Sequence, residues 1–198
     1  TAEMTFRGAN RDETLNYGVT AFYNWHEDPQ LFAEVIPGNR ATLQVVNQDS
    51  AISYGLEVEG SWRPTEALLL DAGLGLLRTE ITDPEAGRPD LEGNSFGQDP
   101  EVTFSLGVVY QITADISVDG RATYRGKSFS DFNNTPGDEV GDYWLVDLGA
   151  TGYWGPFEAR AYITNLFDEA GATRYVGGGS FVDLTPPRSV GVTVTTRF

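Results

Sequence analysis

The chain has 198 residues, is 40% hydrophobic and 12% aromatic, holds no Cys and carries a formal net charge of −16. Without Cys there are no disulfide frameworks or thiolate metal sites, and the acidic balance argues against a nucleic-acid partner, which needs clustered Lys and Arg. No apolar run approaches the roughly 18 residues of a membrane helix.

In chain order, Thr5 and Phe6 end a first strand, followed by a turn near residues 10–13. Residues 15–25 set Leu15, Tyr17, Val19, Ala21, Tyr23 and Trp25 against Asn16, Gly18, Thr20, Phe22 and Asn24. This period of two is that of a strand with one apolar face. Residues 52–62 repeat it, with Ile52, Tyr54, Leu56, Val58 and Trp62 opposite Ser53, Gly55, Glu57, Glu59 and Ser61. Residues 68–76 follow the rule, blurred by Leu69 and Leu77. Residues 102–112 place Val102, Phe104, Leu106, Val108, Tyr110 and Ile112 on one face, and residues 116–124 place Ile116, Val118, Ala122 and Tyr124 there. Residues 144–154, 157–163 and 188–198 complete eight full strands, the last carrying Val190, Val192, Val194 and Phe198 on one side.

Short turns at residues 63–66, 113–114 and 155–156 alternate with long segments at 26–51, 82–100, 126–141 and 168–187. Such alternation, on strands that hide an apolar face in every second residue, predicts an antiparallel transmembrane β-barrel segment. Trp144 and Trp154 share a face ten residues apart. At about 3.3 Å per residue and a tilt of roughly 40°, they stand about 25 Å apart along the membrane normal, the height of the apolar band. Trp25, Tyr54, Trp62, Tyr110, Trp144 and Trp154 are therefore read as membrane-girdle residues. A soluble sandwich, its aromatics filling the space between two sheets, is the weaker alternative. Barrel geometry puts the short turns on the periplasmic side and the long loops outside, and leaves Phe198 at the periplasmic edge. Leu148 then faces lipid and Thr151 the lumen, so an arginine at 148 is expected to cost far more than one at 151.

Further signal lies in the stretches Tyr54-Gly55-Leu56-Glu57-Val58-Glu59 with Trp62-Arg63-Pro64, and Tyr124-Arg125-Gly126. More specific are Asn165-Leu166-Phe167-Asp168, closing the penultimate strand, and Pro187-Arg188, opening the last. In these stretches the chain resembles TonB-dependent outer-membrane receptors of the siderophore type, and the resemblance covers nearly its whole length from about Tyr17. The resemblance implies the C-terminal part of a 22-stranded barrel in the bacterial outer membrane. It implies uptake of an iron chelate or similar bulky nutrient, energised by the TonB complex, with no enzyme activity. Val194 and Phe198 would be the assembly signal for the outer-membrane barrel assembly machinery. No plug domain and no TonB-contact box are recognised in residues 1–198, the first residue is Thr, and no secretion signal opens the chain. A fragment of a longer coding sequence is the simplest expectation. A self-contained eight-stranded barrel, acting as an anchor or narrow pore, is the alternative, with the last strand paired to the first.

Charges on the inferred lumen face are Glu57, Glu59, Asp71, Asp119, Arg121, Asp147, Glu158 and Arg160. They are candidates to meet a plug, or simply line a wet wall. The long loops carry Phe96, Phe129, Phe132, Tyr175 and Phe181, with Arg88, Arg125, Lys127 and Arg174 near them. Rings and cations of this kind suit an anionic iron chelate, through stacking and cation–π contact, or pack the loops on one another. The basic residues near the loop bases would also suit lipopolysaccharide phosphates. The acidic run of Asp83, Glu85, Asp90 and Glu92 lacks EF-hand spacing. His26 is the only histidine, and Gly177-Gly178-Gly179 lacks the strand–helix setting of a phosphate loop. No cofactor, metal site or catalytic constellation is expected.

Overall fold

The computed structural model describes residues 1–34, 36, 39–176 and 181–196. Phe198 and Gly177-Gly178-Gly179 lie outside the described residues. The strands are β1 (Ala2–Ala9), β2 (Leu15–Glu27), β3 (Gln30–Glu34), β4 (Leu43–Asn47), β5 (Ser50–Thr65), β6 (Leu68–Asp83), β7 (Val102–Thr113) and β8 (Ile116–Arg125). They continue with β9 (Ser128–Phe129), β10 (Glu139–Val140), β11 (Tyr143–Trp154), β12 (Phe157–Thr164), β13 (Ala172–Val176), β14 (Phe181–Leu184) and β15 (Ser189–Thr196).

Nine of them form one sheet in the order β1-β2-β5-β6-β7-β8-β11-β12-β15, every pair antiparallel. The other six make three hairpins, β3–β4, β9–β10 and β13–β14, all within the long connections. The register preserves the two faces through the body of the sheet, with shifts only at strand ends, between Ser50 and Ala51, Trp62 and Thr65, and Gln111 and Thr113. One row across the sheet reads Val19, Val58, Leu74, Phe104, Tyr124 and Trp144. On the opposite face, Asp71, Gly107, Arg121 and Asp147 form another row. A slip of one residue in any strand would move its whole apolar set to the charged side, which is why the register is so strongly specified.

The apolar face is turned outward, and none of the described residues covers it. Met4 is 78% exposed, Trp25 59%, Trp154 58% and Val190 76%. Among the described residues the fully buried hydrophobics are few, Ala51, Ile81, Leu91 and Val140, and they lie at the loop end of the sheet. A sandwich would fold a second sheet over those side chains, so the alternation here belongs to a wall whose outer solvent is hydrocarbon. Aromatics cluster at the loop end of this face. Tyr23 stacks on Tyr54 at 5.8 Å, and Trp144 contacts Tyr124 at 5.0 Å and Phe104 at 5.8 Å. Trp62, Tyr110 and Trp154 mark the opposite, turn end of the same face.

The structure corrects three expectations. The turn at residues 63–66 is shorter: β5 continues through Arg63-Pro64 to Thr65, with its pairing to β6 slipping between Trp62 and Thr65. A proline donates no hydrogen bond, so it sits where the ladder is already interrupted. Second, β6 runs past residue 76 to Asp83, with Arg78 on the outer face level with the girdle residue Tyr54 and Glu80 beyond it opposite Ile52, where charge is tolerated. Third, the closed eight-stranded barrel does not form. With nine antiparallel strands, β1 and β15 point the same way, so pairing one to the other would be parallel, and both stand as open edges.

Candidate functional site

The inner face carries its charges in bridges that straddle a glycine strand position. Arg160 on β12 reaches across β11 to Asp119 on β8, with Nη1 to Oδ1 at 2.6 Å and Nη2 to Oδ2 at 2.8 Å. The same Nη1 donates to Thr151 Oγ1 at 3.2 Å. Gly149 lies beneath this pair, and a Cβ there would fall 2.7 Å from Asp119 Oδ1. Arg121 on β8 reaches Asp71 on β6 at 3.5 Å over Gly107, where a Cβ would fall 2.7 Å from the Asp71 carboxyl carbon. The alternation of small and charged residues is thus a packing requirement: each long side chain needs a bare neighbouring strand to lie across. Glu57 and Glu59 face a different sector, lining a concavity of about 440 Å³ with Glu3 and Arg7. Glu158 opposes Tyr153 on the same inner face.

Thr151 does not behave as an open lumen position. It is 8% exposed and holds the Arg160 guanidinium, so an arginine there would set two cations together in a closed site. The expectation of a mild change at 151 is therefore withdrawn.

Asp147 joins this wall to the outer rim. Its Oδ1 accepts the Asn165 backbone N–H at 2.8 Å. Asn165 is 5% exposed, and its amide makes three further bonds: it donates to the carbonyls of Glu169 at 2.9 Å and Pro186 at 2.8 Å, and accepts the Glu169 N–H at 2.8 Å. Asp168 Oδ1 accepts the Arg188 N–H at 2.8 Å. Asn165 and Asp168 both hold the left-handed backbone, at φ 49° and 56°, which Asn and Asp adopt at least cost among residues with a side chain. The Asn-Leu-Phe-Asp segment is thus a clasp tying β12 to the entry of β15.

Above the wall, the loop candidates fall into different surroundings. Phe132 packs on Phe96 at 5.9 Å, against the buried pair Ile81 and Leu91. Phe129 lies half-buried in β9, and Tyr175 in β13 has its N–H bonded to Ser130 Oγ at 2.9 Å. Phe181 is 71% exposed. Lys127 stands 3.7 Å from Asp142, and Arg174 bonds Asp183 at 3.0 Å. Both cations are therefore partly neutralised by their own loops. Arg125 differs: it donates to the Gln98 carbonyl while its Nε is buried without a partner. Near it, burial pushes the Asp99 carboxyl up from the usual carboxylate range, against the pull of Arg125. The Arg88 hydrogen bond holds Asp90 below that range. His26 bonds Ser53 Oγ at 3.0 Å, and the described residues hold no cluster of metal-ligating side chains.

Sequence reading passed over Asn94, Ser95, Asn134 and Ser130, which join the loops, and Asp142 and Asp183, which pair the cations. The turn-forming run Asn133-Asn134-Thr135-Pro136-Gly137 was the available signal.

One antiparallel sheet, apolar and aromatic-girdled outside, charged inside, short-turned at one end and looped at the other, defines a sector of an outer-membrane β-barrel. Residues 2–166 match the TonB dependent receptor-like beta-barrel family model, and the chain belongs to that family. It is accordingly a receptor-barrel chain of the Gram-negative outer membrane and not an enzyme. Among solved structures it is similar to the ferric yersiniabactin uptake receptor FyuA from Yersinia pestis, with TM-score 0.79 and 22% identity over 97% of this chain and 28% of that one. It is likewise similar to the siderophore receptor PiuA from Acinetobacter baumannii, with TM-score 0.77 and 20% identity over 97% of this chain and 27% of that one. The copper transporter OprC gives TM-score 0.75 and 16% identity over 99% of this chain and 30% of that one. The chain thus spans less than a third of the length of these proteins.

Proposed function

We propose that the chain is the C-terminal portion of a larger receptor barrel that takes up a ferric siderophore or similarly bulky nutrient, energised through the TonB complex. The observation that carries this reading is the open sheet. Its outer face requires lipid, yet both edges present unpaired backbone groups that lipid cannot satisfy, so further strands must complete the wall. The concave, charged inner face supports a plugged lumen in place of a packed core. Glu57 and Glu59 offer carboxylates to such a plug, whereas Asp119, Arg160, Asp71 and Arg121 spend their charge on one another. Lipopolysaccharide at the loop bases and recognition of Val194 by the barrel assembly machinery belong to the same reading.

Ligand capture falls to the outer loops, where Arg125 supplies a cation with no carboxylate bonded to it among the described residues and Phe181 an exposed ring. Tyr175 and Phe129 stand near them as further ring surfaces, while Lys127 and Arg174 act through salt-bridged and weaker fields. The test is binding to the intact receptor of a ferric catecholate, a ferric hydroxamate, cobalamin and an oligosaccharide, with Arg125→Gln and Phe181→Ala. A ferric chelate is expected to bind, and Arg125→Gln to weaken it by about tenfold, the worth of one charge-assisted hydrogen bond. Unchanged affinity for every ligand in both variants would remove these loops from the site.

A further inference from the structure

The connections 84–101 and 126–142 are joined by more hydrogen bonds than two independent surface loops need. The Asn134 side chain pairs with Ser95 as a backbone strand would: Oδ1 accepts the Ser95 N–H at 2.8 Å, and Nδ2 donates to the Ser95 carbonyl at 2.9 Å. Ser95 Oγ adds a third bond to Oδ1 at 3.0 Å. Asn94 Nδ2 donates to the Phe132 carbonyl at 2.8 Å, and the Gln98 N–H to the Phe129 carbonyl at 2.7 Å. The backbones approach so closely at Gly97 that a Cβ would fall 2.7 Å from Asp131 Cα. Beneath the seam, Phe96 and Phe132 close on Ile81 and Leu91.

Each partner is also fixed elsewhere. The first loop is stitched to the top of β6, through Phe96 N–H to Thr79 Oγ1 at 2.8 Å and Ile81 N–H to the Asn94 carbonyl at 2.9 Å. The second is stitched to β13, through Ser130 and Tyr175 and through Gly141 N–H to the Ala172 carbonyl at 2.9 Å. Opening one loop away from the other would break these bonds and expose an apolar seam together, which makes the arrangement all-or-none.

From this we infer that the two loops form a single preassembled rim, held shut by Asn134 and Ser95, and that a ligand meets it already formed and does not draw it closed. Asn134 is a positioning residue for the rim. The inference concerns how ligand capture works, so its last part rests on the reading of these loops as the ligand mouth. A preformed site spares the ordering entropy of binding and gives up adaptability, favouring a ligand of one shape over a range of them.

The experiment places spin labels at Glu92 and Glu139, both exposed and one on each loop, in the intact receptor, and reads the distance between them. Without ligand, one narrow distance is expected, and Asn134→Ala should abolish the narrow peak while leaving the receptor folded by its heat-modifiable gel shift. Adding the ferric catecholate or ferric hydroxamate should leave the peak in place. A broad ligand-free distribution, or a narrow one untouched by Asn134→Ala, would overturn the latch. A peak that shifts on adding either chelate would overturn the preformed rim. If neither chelate binds, the proposed function fails while the ligand-free measurement still decides the latch.

Discussion

Asn165→Ala is expected to destabilise the folded barrel by about 3 kcal/mol and to loosen the entry of β15 first. The buried amide satisfies the Glu169 N–H and the Pro186 carbonyl, which alanine leaves short of a partner in a closed site, and shares the Glu169 carbonyl with the Thr185 hydroxyl. Alanine also fits poorly at φ 49°. The two causes separate by substitution. Asn165→Gly relieves the backbone alone and should recover only about 1 kcal/mol. Asn165→Asp keeps the acceptor and the backbone preference but faces two carbonyls, and the Asp147 carboxylate, with a negative charge. It should rank close to alanine. Urea denaturation in lipid vesicles would measure the series. Full recovery by glycine would mean that the amide network contributes nothing.

The second large effect separates two adjacent valines. Val108 lies on the outer face, between Leu70 and Gly120 in its row, and Val109 on the inner face, between Leu69 and Asp119. Val108→Arg should cost about 1–2 kcal/mol, part of the roughly 2–4 kcal/mol met by a cation at the bilayer midplane, because Val108 stands two residues inside Tyr110 at the turn end. Val109→Arg places its cation in the polar lumen, next to an Asp119 already bridged to Arg160, and should cost far less because it stays in water. The residues share chemistry, strand and depth, so the difference reports facing alone. Equal costs would mean that the two faces are wrongly assigned. This pair replaces the comparison of 148 with 151, since Thr151 is enclosed by the Arg160 bridge.

Much of the sheet was legible because the membrane imposes a period of two that no other constraint dilutes. Leu148, Trp144 and Trp154 fall where that period puts them, and so do Glu57, Asp71 and Arg160 on the other side. The signal fails where the chain leaves the membrane. The hairpins β3–β4, β9–β10 and β13–β14 sit in stretches that read as loops, because short strands stabilised by neighbouring loops need no apolar face of their own. Pairing partners were equally hidden. Lys127 with Asp142, and Asn134 with Ser95, meet only through the fold, and spacing along the chain announces neither. The Asn-Leu-Phe-Asp segment was visible as a resemblance, but its work as a clasp emerges only from the four bonds around Asn165.

The most direct test of the membrane-wall account is a spin-label scan along β11 in the intact receptor in outer-membrane vesicles, where residues 1–198 hold no cysteine to compete with the labelled ones. Labels at Val146, Leu148 and Ala150 should show high accessibility to molecular oxygen, which concentrates in hydrocarbon, and labels at Leu145, Asp147 and Thr151 low accessibility. An oxygen profile without the period of two, or with its maxima on Leu145 and Asp147, would contradict the account.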